Sequence, residues 1–139
     1  MELHLIDANQ IIDAQFGEWI SQKICTKLLS SIKDYYLGNW DKYLTTSNTL
    51  TRLYTQQYKT SDILTFAANN LVCKGVAGDI TIKVDNTKFV PGFDRLNLLT
   101  IVKTINYGTL DTKGCPIFTD VFNEFSEHID EYVRMYYRV

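Results

Sequence analysis

The residues best suited to proton transfer, metal binding or nucleophilic attack are two histidines and three cysteines, and their spacing gathers none of them into a site. His4 stands near the start of the chain, where fraying is expected. His128 lies beside Glu127 and Asp130. Glu124 precedes His128 by four residues, the separation that sets a carboxylate and an imidazole on one helix face in some metal sites, but a lone pair on one helix leaves two coordination positions unfilled. Both histidines are therefore expected at the surface or its boundary. Cys25, Cys73 and Cys115 are odd in number and far apart, with no Cys-x-x-Cys pair, so reduced, mostly buried thiols are expected. Cys25 falls inside an apolar helical pattern and is expected to pack in the core. No dinucleotide-type glycine fingerprint, phosphate loop or Gly-x-Ser-x-Gly elbow occurs. The chain is thus expected not to be an enzyme, and to hold no cofactor and no metal; the opposing view would rest on a histidine- or cysteine-dependent activity at His128 or Cys115.

Composition narrows the remaining classes. A chain of 139 residues, 45% hydrophobic and 22% charged with 7 Gly and 2 Pro, fits one folded domain spanning 1–139. Fourteen basic against 16 acidic residues give a formal charge of -2, without a Lys/Arg run. Specific nucleic-acid binding is disfavoured on that footprint. No signal-like opening and no apolar run of bilayer length is present, so no membrane association is expected, and the chain is taken as a soluble product of a cytoplasm.

The elements that would position any site follow from periodicity. Ile12, Phe16, Trp19, Ile20, Ile24, Leu28, Leu29, Ile32 and Tyr36 recur at steps of three and four, which predicts a long N-terminal helix over 11–37. Gly17 predicts a break or kink in it, and Gly38-Asn39 a stop. Residues 39–60 are rich in Thr, Tyr and Asn without a period, and are expected as an extended loop with a turn of helix near 50–54. A loop of that length is often a contact element, and its Trp40, Tyr43, Tyr54 and Tyr58 are interface candidates; the alternative is an irregular segment whose aromatics pack on the body.

The middle, 61–108, is expected to contain the β structure. Ser61-Asp62 can cap a short helix running through Ile63, Leu64, Ala67, Ala68 and Leu71. Ile80 to Val84 alternates as a strand and ends in an Asp85-Asn86 turn. Residues 94–107 suit both strand and helix; Asp94 as a cap and Gly108 as a stop favour the helix. From Pro116 a single amphipathic helix is predicted over 116–137, with Phe118, Val121, Phe122, Phe125, Ile129, Tyr132, Val133 and Tyr136 on one face. Its other face carries Asp120, Glu124, Glu127 and Glu131 early and Arg134 and Arg138 late, an order that suits the helix dipole and a solvated face. The fold class expected is α+β, with a long N-terminal helix, a small antiparallel β-sheet and a C-terminal amphipathic helix.

Three segments together carry a resemblance: "LYTQQYKTSDILTFAANNL" (53–71), the strand "DITIKV" (79–84) and "VKTINYGTLDTKGCPIFTDVFNEF" (102–125). Their order, with Tyr58-Lys59-Thr60 ahead of Ile63-Leu64 and Tyr107-Gly108-Thr109 leading through Pro116-Ile117-Phe118 into the last helix, resembles the small tail-completion or head–tail joining family of long-tailed bacteriophages. Asn106 stands where that family often has an acidic residue, and Ile117 splits its Pro-Phe pair.

The resemblance implies a non-enzymatic virion assembly protein, made in the host cytoplasm and placed at the head–tail interface (neck) of the particle. It implies a subunit of a homo-oligomeric ring, a hexamer or a dodecamer, between the capsid connector and the tail tube. Its partners would be other phage structural proteins: tail tube or tail terminator, and head-completion or connector proteins. Tyr107, Gly108, Pro116 and Phe118 would form a structural corner, Gly108 permitting a tight reversal while Tyr107 and Phe118 anchor its arms to the sheet. The stripe Asp120, Glu124, Glu127 and Glu131 could face a lumen, where like charge repels DNA phosphate. The alternative function is a small phage-encoded adaptor or inhibitor that binds a host or phage protein through the same aromatics.

Overall fold

The computed structural model describes residues 2–6, 13–37, 60–76, 79–90, 92, 95–108 and 114–138. Within them the architecture is α+β: helices packed on one side of a small antiparallel sheet. The elements are β1 (Glu2–Ile6), α1 (Ala14–Leu37), α2 (Thr60–Asn69), β2 (Leu71–Val76), β3 (Asp79–Val84), α3 (Leu98–Tyr107), α4 (Ile117–Glu127) and α5 (Ile129–Tyr137). The sheet order is β1-β3-β2, both pairings antiparallel, so the strand expected at 80–84 is the central one.

Two strands were not expected. β1 is a five-residue alternation, Glu-Leu-His-Leu-Ile, too short to be distinctive alone. β2 begins one residue after α2 ends, so Leu71 opens the strand and does not close the helix. Alternation then sorts the faces. Leu3, Leu5, Ile80, Ile82 and Val84 are buried beneath the helices, while Glu2, His4 and Lys74 are exposed on the other side.

α1 supplies a long apolar stripe, Phe16, Ile20, Ile24, Leu28 and Ile32, all buried against the sheet and the other helices. It starts at Ala14, later than the sequence suggests, because Asp13 caps it: the Phe16 N–H donates to Asp13 Oδ1 at 2.9 Å. The predicted break at Gly17 does not occur. Gly17 N–H donates to Asp13 O at 3.0 Å within a continuous helix. A Cβ there would lie 2.8 Å from Cys73 Sγ and 2.9 Å from Ile80 Cγ2, so the glycine serves close approach of helix to sheet.

The 94–107 segment resolves as a helix, shorter than expected: Asn97 is its cap, its side chain accepting from the Thr100 N–H at 3.2 Å. Asp94, the expected cap, lies outside the described residues, as do Ile12, Gly38-Asn39 and nearly all of 39–60.

The single C-terminal helix over 116–137 is two helices. His128 (φ -109°, ψ 19°) closes α4 by donating to Glu124 O at 3.2 Å, and its carbonyl opens α5 by accepting from the Glu131 and Tyr132 N–H groups. α4 buries Ile117, Phe118, Val121, Phe122 and Phe125, whereas α5 buries no residue fully. α5 is held by aromatic contacts: Tyr136 meets Phe16 edge-on at 5.5 Å between ring centres, and Tyr137 stacks on it at 5.8 Å. The Tyr137 hydroxyl accepts from the Asp13 N–H at 3.1 Å, tying the end of the chain to the start of α1.

Candidate functional site

The corner between α3 and α4 is fastened differently from the expectation. Gly108 has φ 80°, in the region that disfavours any side chain, and its N–H donates to Thr104 O at 2.9 Å to end α3. Phe118 is fully buried as expected. Tyr107 is 60% exposed and anchors nothing in the core, because it falls on the face of α3 opposite Leu98, Ile101, Val102 and Ile105. Pro116 is also exposed; it opens α4 without a side-chain cap.

Asn106 performs the anchoring. At 1% exposure it is the one buried polar residue among those described. Its Oδ1 accepts from the Phe118 N–H at 3.1 Å and the Thr119 N–H at 3.3 Å, and its Nδ2 donates to Thr119 Oγ1 at 2.6 Å. Two unpaired amides of the first turn of α4 are thereby satisfied by a side chain from α3. Gly114 completes the corner: a Cβ there would meet Tyr107 C at 2.6 Å and Asn106 O at 2.7 Å. An asparagine before a Tyr-Gly-Thr turn carries no local signature of this role, since its partners lie 12 and 13 residues away.

The open side of the sheet holds a second polar cluster. His4 Nε2 contacts Asp79 Oδ1 and lies opposite Thr81 in the β1–β3 register, with Lys74 across on β2, all around a shallow depression. His4 is thus paired within a strand. His128 meets Glu131 at 3.5 Å in place of Glu124, because it sits at the helix break. Among the described residues, no group of three or more His, Cys, Asp or Glu could hold a metal, and no helix is long and apolar enough to cross a membrane.

The thiols are distributed unevenly. Cys115 is buried, but Cys25 is only half-buried, its Sγ–H donating to Asn69 Oδ1 at 3.5 Å at the edge of α2, which corrects its expected core position. Burial raises the Cys25 thiol above its ordinary pKa. Cys73 is raised as well, first by burial and also by the Glu18 charge.

A groove of about 560 Å³ runs between α1 and the C-terminal helices. Trp19, Gln22, Lys23, Thr26, Lys27 and Ser30 line it from α1, and Phe125 and Tyr132 from the other side. Phe125 and Tyr132 stack at 4.8 Å, Trp19 meets Tyr132 edge-on at 6.4 Å, and Lys23 Nζ lies 4.7 Å above the Trp19 ring. Burial, then the charges of Glu124 and Glu131, raises the Tyr132 phenol above its ordinary pKa. The floor is therefore aromatic and half-buried, with lysines on one wall.

The sequence places Trp19 and Tyr132 on apolar faces and does not single out this groove. The available signal was Trp19, Lys23, Thr26 or Lys27, and Ser30, recurring at helical steps beside the core stripe. The acidic candidates Asp120, Glu124, Glu127 and Glu131 are all exposed. The interface candidates Trp40, Tyr43, Tyr54 and Tyr58 lie outside the described residues. Comparison with family models, with curated proteins and with solved structures finds no match to this chain.

Proposed function

We propose that this chain is a non-enzymatic virion assembly protein, a ring-forming subunit that joins the tail to the capsid connector of a long-tailed phage. The observation that carries the reading is the aromatic groove with its lysine wall, on a domain whose other helical face is acidic. Trp and Tyr in a half-buried, polar-rimmed setting are the residues on which protein interfaces concentrate binding energy. A ring needs two different, mutually complementary surfaces on each subunit, and this domain offers surfaces of different chemistry. The order of the three motif segments supplies the phage context, and the long helix, antiparallel sheet and C-terminal helices agree with the architecture that resemblance implies. The function then resides in contacts, with the Asn106 corner holding α4 at a fixed angle to α3.

The test is genetic and visual. Deleting the coding sequence from its phage should leave filled heads and finished tails unjoined in electron micrographs, and supplying the chain in trans should restore joined particles. Joined, infective particles from the deletion would contradict the proposal, and the groove would then be reassigned to an adaptor that binds a host or phage protein.

A further inference from the structure

We propose that the lysine-walled groove of one copy docks the acidic outer face of α4 from a second copy, head to tail. This rests on the assembly reading and names the surfaces it would use. Asp120, Glu124 and Glu127 are exposed on α4 and, among the described residues, pair with no basic side chain. Lys23 and Lys27 likewise pair with no acidic one; Lys23 is held over Trp19. Among the described residues, then, neither the lysines of the α1 wall nor these carboxylates of α4 are engaged in a salt bridge.

The spacing agrees as well as the sign. Lys23 and Lys27 are four residues apart on one helix, as are Asp120 and Glu124 on another, so each pair is separated by about 6 Å of helix rise. Two helices laid side by side can thus match two lysines to two carboxylates. Asp34, exposed on α1 seven residues beyond Lys27, opposes displacement of an acidic helix in that direction and so favours one register. The half-buried Trp19 and Tyr132 rings supply apolar area at the centre of the contact, while the charges at its edge steer encounter and fix orientation. Because the mating patches are different surfaces, the contact is heterologous and propagates from copy to copy until a ring closes. The stripe then faces a neighbour and not a DNA channel.

The experiment is a charge swap read by sedimentation velocity at low salt, with circular dichroism as a check that the substitutions, at exposed Lys27, Asp120 and Glu124 and half-buried Lys23, leave the fold unchanged. The wild-type chain should self-associate with rising concentration. The Lys23→Glu/Lys27→Glu double variant and the Asp120→Lys/Glu124→Lys double variant should each self-associate at least about tenfold more weakly, because like charges then face each other. Mixed in equal amounts, the two variants should recover association, since every junction between unlike copies again joins opposite charges. A wild-type chain that stays monomeric, or a mixture that gains nothing over its components, overturns the inference. Self-association untouched by either swap also overturns it and leaves the assembly reading standing. Recovery in the mixture, combined with joined particles from the deletion phage, would support the contact and sink the assembly reading.

Discussion

At the scale of single residues, the corner depends on one asparagine and one glycine. Replacing Asn106 by Leu leaves the Phe118 and Thr119 amides without their acceptor and removes the bond to Thr119 Oγ1. The expected loss is about 2 kcal/mol, measurable as a lower urea midpoint at an unchanged slope; an unchanged midpoint would show that the corner is held elsewhere. Asp85 gives a pH prediction. Its carboxylate accepts from the Thr87 hydroxyl and N–H, and the hydroxyl bond, then the backbone bond, lowers its pKa. The folded state therefore binds this proton less tightly than the unfolded chain. Its stabilisation is complete above the ordinary carboxylate pKa and is lost as pH falls through the depressed folded value. Asp85→Asn should flatten the acid limb of the stability curve slightly, as the group is largely solvated; an identical limb would refute the assignment. Cys25 and Cys73, both raised, should alkylate more slowly than free cysteine at pH 8, and labelling at the free-thiol rate would contradict their burial.

At the scale of elements, Gly17 separates two opposing effects. Alanine would favour the helix by about 1 kcal/mol, yet its Cβ would press on Cys73 and Ile80. Overpacking of this kind costs roughly 1–3 kcal/mol, so Gly17→Ala should lower stability on balance, and a raised melting temperature would mean the sheet yields easily. The same residue marks what the sequence could convey. A glycine in a helical pattern signals weakness by propensity, whereas its reason here lies in β2 and β3, far along the chain. α1, α2, α3 and β3 were legible because periodicity is local, but the caps were not: Ser61 and Asp62 lie inside α2, which begins at Thr60, and Asn97 caps α3. β1 and β2 were not, since a five-residue alternation and a strand starting one residue after a helix gain their identity from pairing with β3. The break at His128 was hidden because the apolar period continues across it, from Phe125 to Tyr132. The groove was hidden for a related reason: Trp19 and Tyr132 each look like core until the two helices are set side by side.

At the scale of the whole molecule, a small sheet covered on one side by helices presents several chemically distinct surfaces: an aromatic groove with lysines, an acidic helix face and a polar sheet face. Their fixed relation depends on the packing of α1 against the sheet, α2 and α4, with the Asn106 corner setting α4 against α3 and the Tyr137 to Asp13 bond tying α5 to the start of α1. Under the proposed function this domain acts through those surfaces, inside a particle. Quantitative mass spectrometry of density-purified tailed virions tests this most directly, by counting copies of this chain per portal ring. A small, fixed, ring-like number that survives repeated purification is expected. A chain left in the lysate, with no copies in the particles, would contradict it.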